Sequence, residues 1–133
     1  MPLYRVRQAA QLLGVSDDTV RRWVDAGRLP AARDAQGRLA VEGSELAAFA
    51  QQISSAPELG RSVAESARNR FTGLVTRVVK DGVMAQVDLQ AGPFRVVSLM
   101  SREAADELGL EPGVLAVASV KSTQVVVEVP ESR

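Results

Sequence analysis

Ser66-Ala67-Arg68-Asn69 opens a run of short β-patterned segments and is answered near the end of the chain by Lys121-Ser122-Thr123. Between these motifs the apolar residues alternate with period two. Leu74–Val79 precedes a Lys80-Asp81-Gly82 turn, after which Val83, Ala85, Val87 and Leu89 alternate with Met84, Gln86 and Asp88, the pattern of a hairpin. Gln90-Ala91-Gly92-Pro93 turns into a strand over Phe94–Leu99, a short helix over Ser101–Leu108 stops at Gly109, and Glu111-Pro112-Gly113 leads into a strand over Val114–Val120. Gln124–Val129 supplies a fifth strand. Five short strands and one short helix suit a small OB-like β-barrel better than a sheet that needs crossover helices. The two polar motifs at its strand edges offer hydroxyls, backbone N–H groups and the fixed charges of Arg68 and Lys121. A tetrahedral oxyanion accepts hydrogen bonds and donates none, so this donor-only inventory suits a small dianion.

The chain has 133 residues, no Cys and no His. Thiolate and imidazole metal sites, Ser-His-Asp and Cys-His nucleophiles and a disulfide framework are therefore excluded together. No pair of carboxylates suits general acid–base work, and Glu103, Asp106 and Glu107 read as the solvated face of the short helix. The chain is expected not to be an enzyme. With 46% apolar and 24% charged residues the composition is that of a globular protein. No apolar run approaches the roughly 20 residues of a membrane span, and the first residues lack the regions of a signal peptide, so a cytoplasmic location without membrane contact is expected.

Upstream of the β-pattern the period is helical. Val6, Ala9, Ala10, Leu12 and Leu13 recur at helix spacing, Gly14-Val15-Ser16 breaks the pattern with a stop glycine and a capping serine, and a second helix runs from Asp17 to about Ala26. Its acids Asp17 and Asp18 sit where the helix dipole favours them; Val20, Trp23 and Val24 share its inner face, while Arg21 and Arg22 lie on the opposite one. Pro30 ends helical continuation, Ala31–Val41 reads as a small hairpin around Gly37, and a third helix runs from Val41 to about Ile53. Ser54 to Ser62, rich in Ser, Pro and Gly, reads as a linker. Three regions follow: 1–53, a linker over 54–64, and 65–131. Net charge is zero but uneven: residues 1–40 hold seven Arg against four Asp, and residues 41–66 hold one Arg against four Glu. This basic excess permits nucleic-acid binding without arguing for it.

The segment from Leu13-Gly14-Val15-Ser16 through Arg21-Arg22-Trp23 to Gly27-Arg28-Leu29-Pro30 resembles the winged helix-turn-helix of mercury-resistance-type (MerR) regulators and of related excisionases. In that family the second helix enters the major groove of double-stranded DNA and the wing grips phosphates. The resemblance implies DNA contacts from Ser16, Thr19, Arg21, Arg22, Arg33 and Arg38, with Trp23 in the core. It also marks a departure: such regulators dimerise through a long helix after the wing, whereas the helix available here is short. The C-terminal segment, on Ser66-Ala67-Arg68-Asn69 and Lys121-Ser122-Thr123, resembles the Mop or TOBE domains, small barrels that bind molybdate or tungstate. That resemblance implies oxyanion contacts from Ser66, Ala67, Arg68, Asn69, Lys121, Ser122 and Thr123, with the anion as ligand and no organic cofactor or metal cation.

The combined expectation is an α+β chain of two domains, a winged helix-turn-helix followed by a five-stranded OB-like barrel. It would act as an oxyanion-responsive DNA-binding regulator. The alternatives are a molybdate or tungstate storage or buffering protein whose helical domain does not read DNA, and an excisionase-like architectural protein whose barrel only oligomerises it. In Mop-type proteins the complete anion site forms where two barrels meet. With one copy per chain, a homo-oligomer from dimer to hexamer, held by the C-terminal half, is expected.

Overall fold

The computed structural model describes residues 2–55, 59 and 69–130, and the chain divides into two compact units, Met1–Ser55 and Ala56–Arg133. The expected linker over 54–64 falls largely outside the described residues.

The first unit runs β1 (Leu3–Arg5), α1 (Val6–Leu13), α2 (Asp17–Asp25), β2 (Ala32–Arg33), β3 (Leu39–Glu42) and α3 (Gly43–Ile53). Val6, Ala9 and Ala10 form the buried face of α1. Gly14 then takes φ 71°, in the left-handed region that glycine enters without a Cβ penalty, and Val15 N–H donates to the Ala10 carbonyl at 3.0 Å. The Ser16 hydroxyl accepts from Thr19 N–H at 3.2 Å and starts α2, so the helix–turn–helix angle is set by one glycine and one cap. Val20 of α2 is buried, and Trp23 packs edge-on against Phe49 of α3, with ring centroids 4.9 Å apart at 61°. The Arg28 guanidinium lies 5.9 Å and 5.7 Å from these two rings. Trp23 is thus partly buried against the core, as expected.

A three-stranded antiparallel sheet, in order β1-β3-β2, completes this unit. The third helix begins at Gly43 rather than Val41, because Ala40 and Val41 are buried in β3, where they pair with Arg5 and Tyr4 of β1. Strand β1, three residues long, carries too little pattern to be read from sequence.

The second unit contains β4 (Asn69–Lys80), β5 (Met84–Ala91), β6 (Phe94–Ser101), α4 (Arg102–Glu107), β7 (Leu115–Val120) and a 3-10 turn (Ser122–Gln124). Its antiparallel sheet has the order β6-β5-β4-β7. Strand β4 is the organiser. Asn69–Leu74 pairs with β7, Leu74–Lys80 pairs with β5, and the register shifts between Val75 and Arg77. At this change of partner a Cβ on Gly73 would lie 2.2 Å from the Gln90 carbonyl oxygen, so the crossing requires glycine. Val75, Val87 and Leu89 form the buried centre, and α4 is capped by the Ser101 hydroxyl, which accepts from Ala104 N–H at 3.1 Å.

The fifth strand does not form. Both edges of β4 are already occupied, and the 3-10 turn ends β7 before the chain reaches Val125. Residues 125–130 have strand composition but no ladder partner among the described residues, and Val126, Val127 and Val129 are 84%, 83% and 87% exposed. The sheet therefore has four strands rather than five, with β6 and β7 at its edges. Among the described residues no helix is long and apolar enough to cross a membrane.

Candidate functional site

The two halves of the polar motif come together where the structure describes them. Asn69, the first residue of β4, pairs with Val120, the last of β7, and its Nδ2 donates to the Val120 carbonyl at 3.2 Å. Lys121 follows directly, and the 3-10 turn folds Ser122 and Thr123 beside it, with Gln124 N–H donating to the Lys121 carbonyl at 2.9 Å. Register thus places Asn69 next to Lys121-Ser122-Thr123. All three turn residues are exposed, and among the described residues the Lys121 ammonium and the Ser122 and Thr123 hydroxyls have no side-chain partner. Ser66, Ala67 and Arg68, the other expected oxyanion contacts, lie outside the described residues. What the structure does describe is a cluster of donors with little internal demand on them, the chemistry an oxyanion requires.

An apolar groove of about 310 Å³ on the sheet is a different kind of surface, lined by Val87, Leu89, Val96, Met100, Leu110 and Val114 among others. It presents no cationic group and cannot neutralise a dianion. Elsewhere on β5, Asp88 is buried and is held by Arg95 through Nε at 3.0 Å and Nη2 at 2.9 Å, with Gln86 Nε2 at 3.2 Å. The Gln86 amide and the Arg95 guanidinium hold its carboxyl below the ordinary carboxylate range, against partial desolvation. This pair is structural and was not legible in the alternation. Asp106, read from sequence as solvated, bonds Lys80 and lies 3.8 Å from Arg102. Among the described residues no group of three or more Asp, Glu, Cys or His is placed to hold a metal ion.

In the first unit the expected DNA contacts fall into two sets. At the start of α2, Ser16 Oγ and Thr19 Oγ1 lie 2.9 Å apart, and Arg22 Nη2 donates to Thr19 Oγ1 at 3.2 Å, which ties three of the expected residues into one exposed chain. Arg21, Arg33 and Arg38 instead line a common groove. Arg33 Nη1 donates to the Gly37 carbonyl at 3.3 Å across the β2–β3 hairpin. The turn of that hairpin is organised by Asp34, whose Oδ1 accepts from Gln36 N–H and Arg38 N–H at 2.9 Å each. The Arg38 backbone bond, the Gln36 bond and the nearby guanidinium groups of Arg38 and Arg5 outweigh desolvation and lower the Asp34 pKa. Two groove residues, Arg5 and Arg7, escape the sequence reading. The one signal for them is the count of arginines near the start of the chain.

The chain matches the family model of the TOBE domain over residues 65–127 and that of a helix-turn-helix domain over residues 3–54. Molybdenum-pterin-binding protein 2 of Clostridium pasteurianum is 40% identical over 63 residues, covering 47% of this chain and 93% of that protein. A molybdate binding protein from Sporomusa ovata, of known structure, is 28% identical across 50% of this chain and all of its own, with a TM-score of 0.49. The cytoplasmic molybdate-binding protein ModG, solved with molybdate bound, is 36% identical across 56% of this chain and 52% of its own, with a TM-score of 0.48.

Proposed function

This chain belongs to the TOBE-domain family and carries a helix-turn-helix domain ahead of that module, and on that premise we propose that it is a DNA-binding transcriptional regulator whose affinity for its site responds to molybdate or tungstate. Both of its domains are binding domains, and the chain is not an enzyme. The observation that carries the sensing half is the register that sets Asn69 against Val120 and so brings it beside Lys121-Ser122-Thr123. Ser66, Ala67 and Arg68, immediately before Asn69 in sequence, complete the proposed donor set. Tungstate shares the charge and shape of molybdate, so the same donors serve either anion.

The reading half is a MerR-type winged helix-turn-helix in this proposal, with the β2–β3 hairpin as the wing. Ser16, Thr19, Arg21 and Arg22 face the major groove and Arg33 and Arg38 hold phosphates. Support comes from the capped start of α2 and from the grouping of Arg21 with the two hairpin arginines around one groove.

The chain assembles as a homo-oligomer through its C-terminal half and works in the cytoplasm. The exposed Val125–Val129 segment has strand composition and no partner of its own, while β6 and β7 leave open edges; a strand donated between copies satisfies both. Anion binding at or near that junction would then tighten the assembly and change the spacing of the DNA-reading units. A storage or buffering role draws support from one fact, that the matched module makes up nearly all of a stand-alone molybdenum-pterin-binding relative. In that case DNA is ignored.

Titration calorimetry with molybdate, tungstate and sulfate tests the sensing half. Molybdate and tungstate should bind at micromolar concentration or tighter, and sulfate far more weakly. Equal affinity for all three would remove the oxyanion assignment.

A further inference from the structure

We infer that Arg5 and Arg7, contributed by the junction of β1 and α1, extend the DNA-contacting surface into a phosphate track that runs from the hairpin across to the start of α1. The inference rests on the DNA-reading proposal above and adds residues to it. It begins with the backbone. Strand β1 ends at Arg5, which pairs with Ala40, and α1 starts at Val6, whose side chain is buried in the core. A buried Val6 between two exposed arginines fixes the junction, and both arginines line the same groove, of about 470 Å³, as Arg21, Arg33 and Arg38.

Five arginines thus line one depression, with Asp17 also on its lining and Asp34 paired to two of them, Arg5 and Arg38. Asp34 divides its charge between Arg5, at 3.7 Å, and Arg38, at 4.0 Å. Arg7 makes no ion pair or hydrogen bond among the described residues. Such a concentration of one sign raises the local potential, and an anion relieves it. The cations come from four separate elements, β1, α1, α2 and the β2–β3 hairpin, so they form a spread track rather than a closed pocket. Phosphates strung along a duplex backbone match a track; a single small oxyanion does not. Asp34 is a positioning residue here, because it holds the hairpin turn through Gln36 and Arg38 while orienting Arg5.

The test uses the full chain with two duplexes, one of random sequence and one enriched from a random pool by the unmodified protein, titrated across a series of salt concentrations. Each phosphate contact contributes about 0.9 to the slope of log affinity against log salt. R5A/R7A should lower that slope by roughly two units and weaken both duplexes by the same factor, since phosphate contacts carry no sequence information. R5K/R7K, which keeps the charge, should restore most of the slope, and R77A, in the other unit, should leave it unchanged. R7A alone, at a residue with no described partner, should lower the slope by about one unit and guards against misfolding of the double variant. An unaltered slope in R5A/R7A, with binding still lost in R21A/R22A, would overturn the track while sparing the DNA-reading proposal. An equal loss in R77A would reduce the effect to net charge and overturn it too. Failure of the unmodified protein to bind either duplex would remove both.

Discussion

The two units bury their apolar residues to different degrees. In the first, eight residues form the buried cluster, and the large apolar side chains left exposed are Leu3 and Leu12. In the second, the cluster shrinks to Val75, Val87 and Leu89, while Leu74, Phe94, Leu99, Leu115 and the Val125–Val129 segment stand in solvent. The second unit is the longer of the two, so its smaller buried cluster is not a matter of size. A monomeric domain rarely leaves this much apolar surface uncovered. The helix-turn-helix unit covers its own core, and the proposed oligomer would cover the apolar surface that the sheet unit leaves exposed. That asymmetry fits a regulator in which reading is done per subunit and sensing is done between subunits.

The largest effect is expected at the C-terminal segment. V126D/V127D places two charges in the proposed exchanged strand and should convert the assembly to monomers by light scattering, with molybdate binding lost in the same variant. If it stayed oligomeric, the contrast between the units would need another cause. Next in size, R21A/R22A should abolish sequence-specific DNA binding, each arginine accounting for about 1–3 kcal/mol, while calorimetry shows unchanged anion affinity. The complementary change inside the first core is L29A, at a residue 1% exposed. It should destabilise that unit by about 2–5 kcal/mol in denaturant titrations and leave the oligomeric state alone.

A smaller effect is expected at the sensing site. K121A removes a charge-assisted donor and should weaken molybdate by about 1.5–3 kcal/mol, roughly tenfold to a hundredfold, with little change in melting temperature when no anion is present. The smallest concerns pH. Gln86 and Arg95, with Arg77 nearby, depress the Asp88 pKa in the folded state, so the stability it contributes is present above the unfolded value of about 3.9 and is lost as pH falls through the folded one. D88N should therefore flatten the acid limb of the second unit's unfolding curve and leave the first unit's limb as it was.

Much of this organisation is legible in the sequence. The helical spacing of Val6, Ala9 and Ala10, the Gly14 stop and the Ser16 cap give the helix-turn-helix nearly to the residue, because each feature is local. Strand β4 is harder. Gly73 interrupts its pattern and hides the segment from Asn69 to Gly73, since the need for a glycine comes from the Gln90 carbonyl of another strand. The burial of Asp88 is illegible for a related reason: alternation assigns a residue to a face but does not say whether Arg95 will cover it. Val125–Val129 errs in the other direction. Its composition is that of a strand, yet a strand needs a neighbour, and the neighbour is not in the sequence order of one chain. At the candidate sites, Asn69 and Lys121-Ser122-Thr123 are readable through their motif, whereas Arg5 and Arg7 become visible once β1 and α1 are folded against the hairpin.

In the proposed regulator the two units are coupled, so that the anion bound by one changes what the other does to DNA. The most direct measurement of that coupling is the affinity of the two-unit chain for its enriched duplex at fixed ionic strength, with molybdate and then with an equal concentration of sulfate. A coupling free energy of about 1–3 kcal/mol, a change of roughly 5- to 150-fold, is expected with molybdate and none with sulfate. Identical affinities in the two solutions, in a protein shown by calorimetry to have bound molybdate, would contradict the regulator and leave two independent binding modules on one chain.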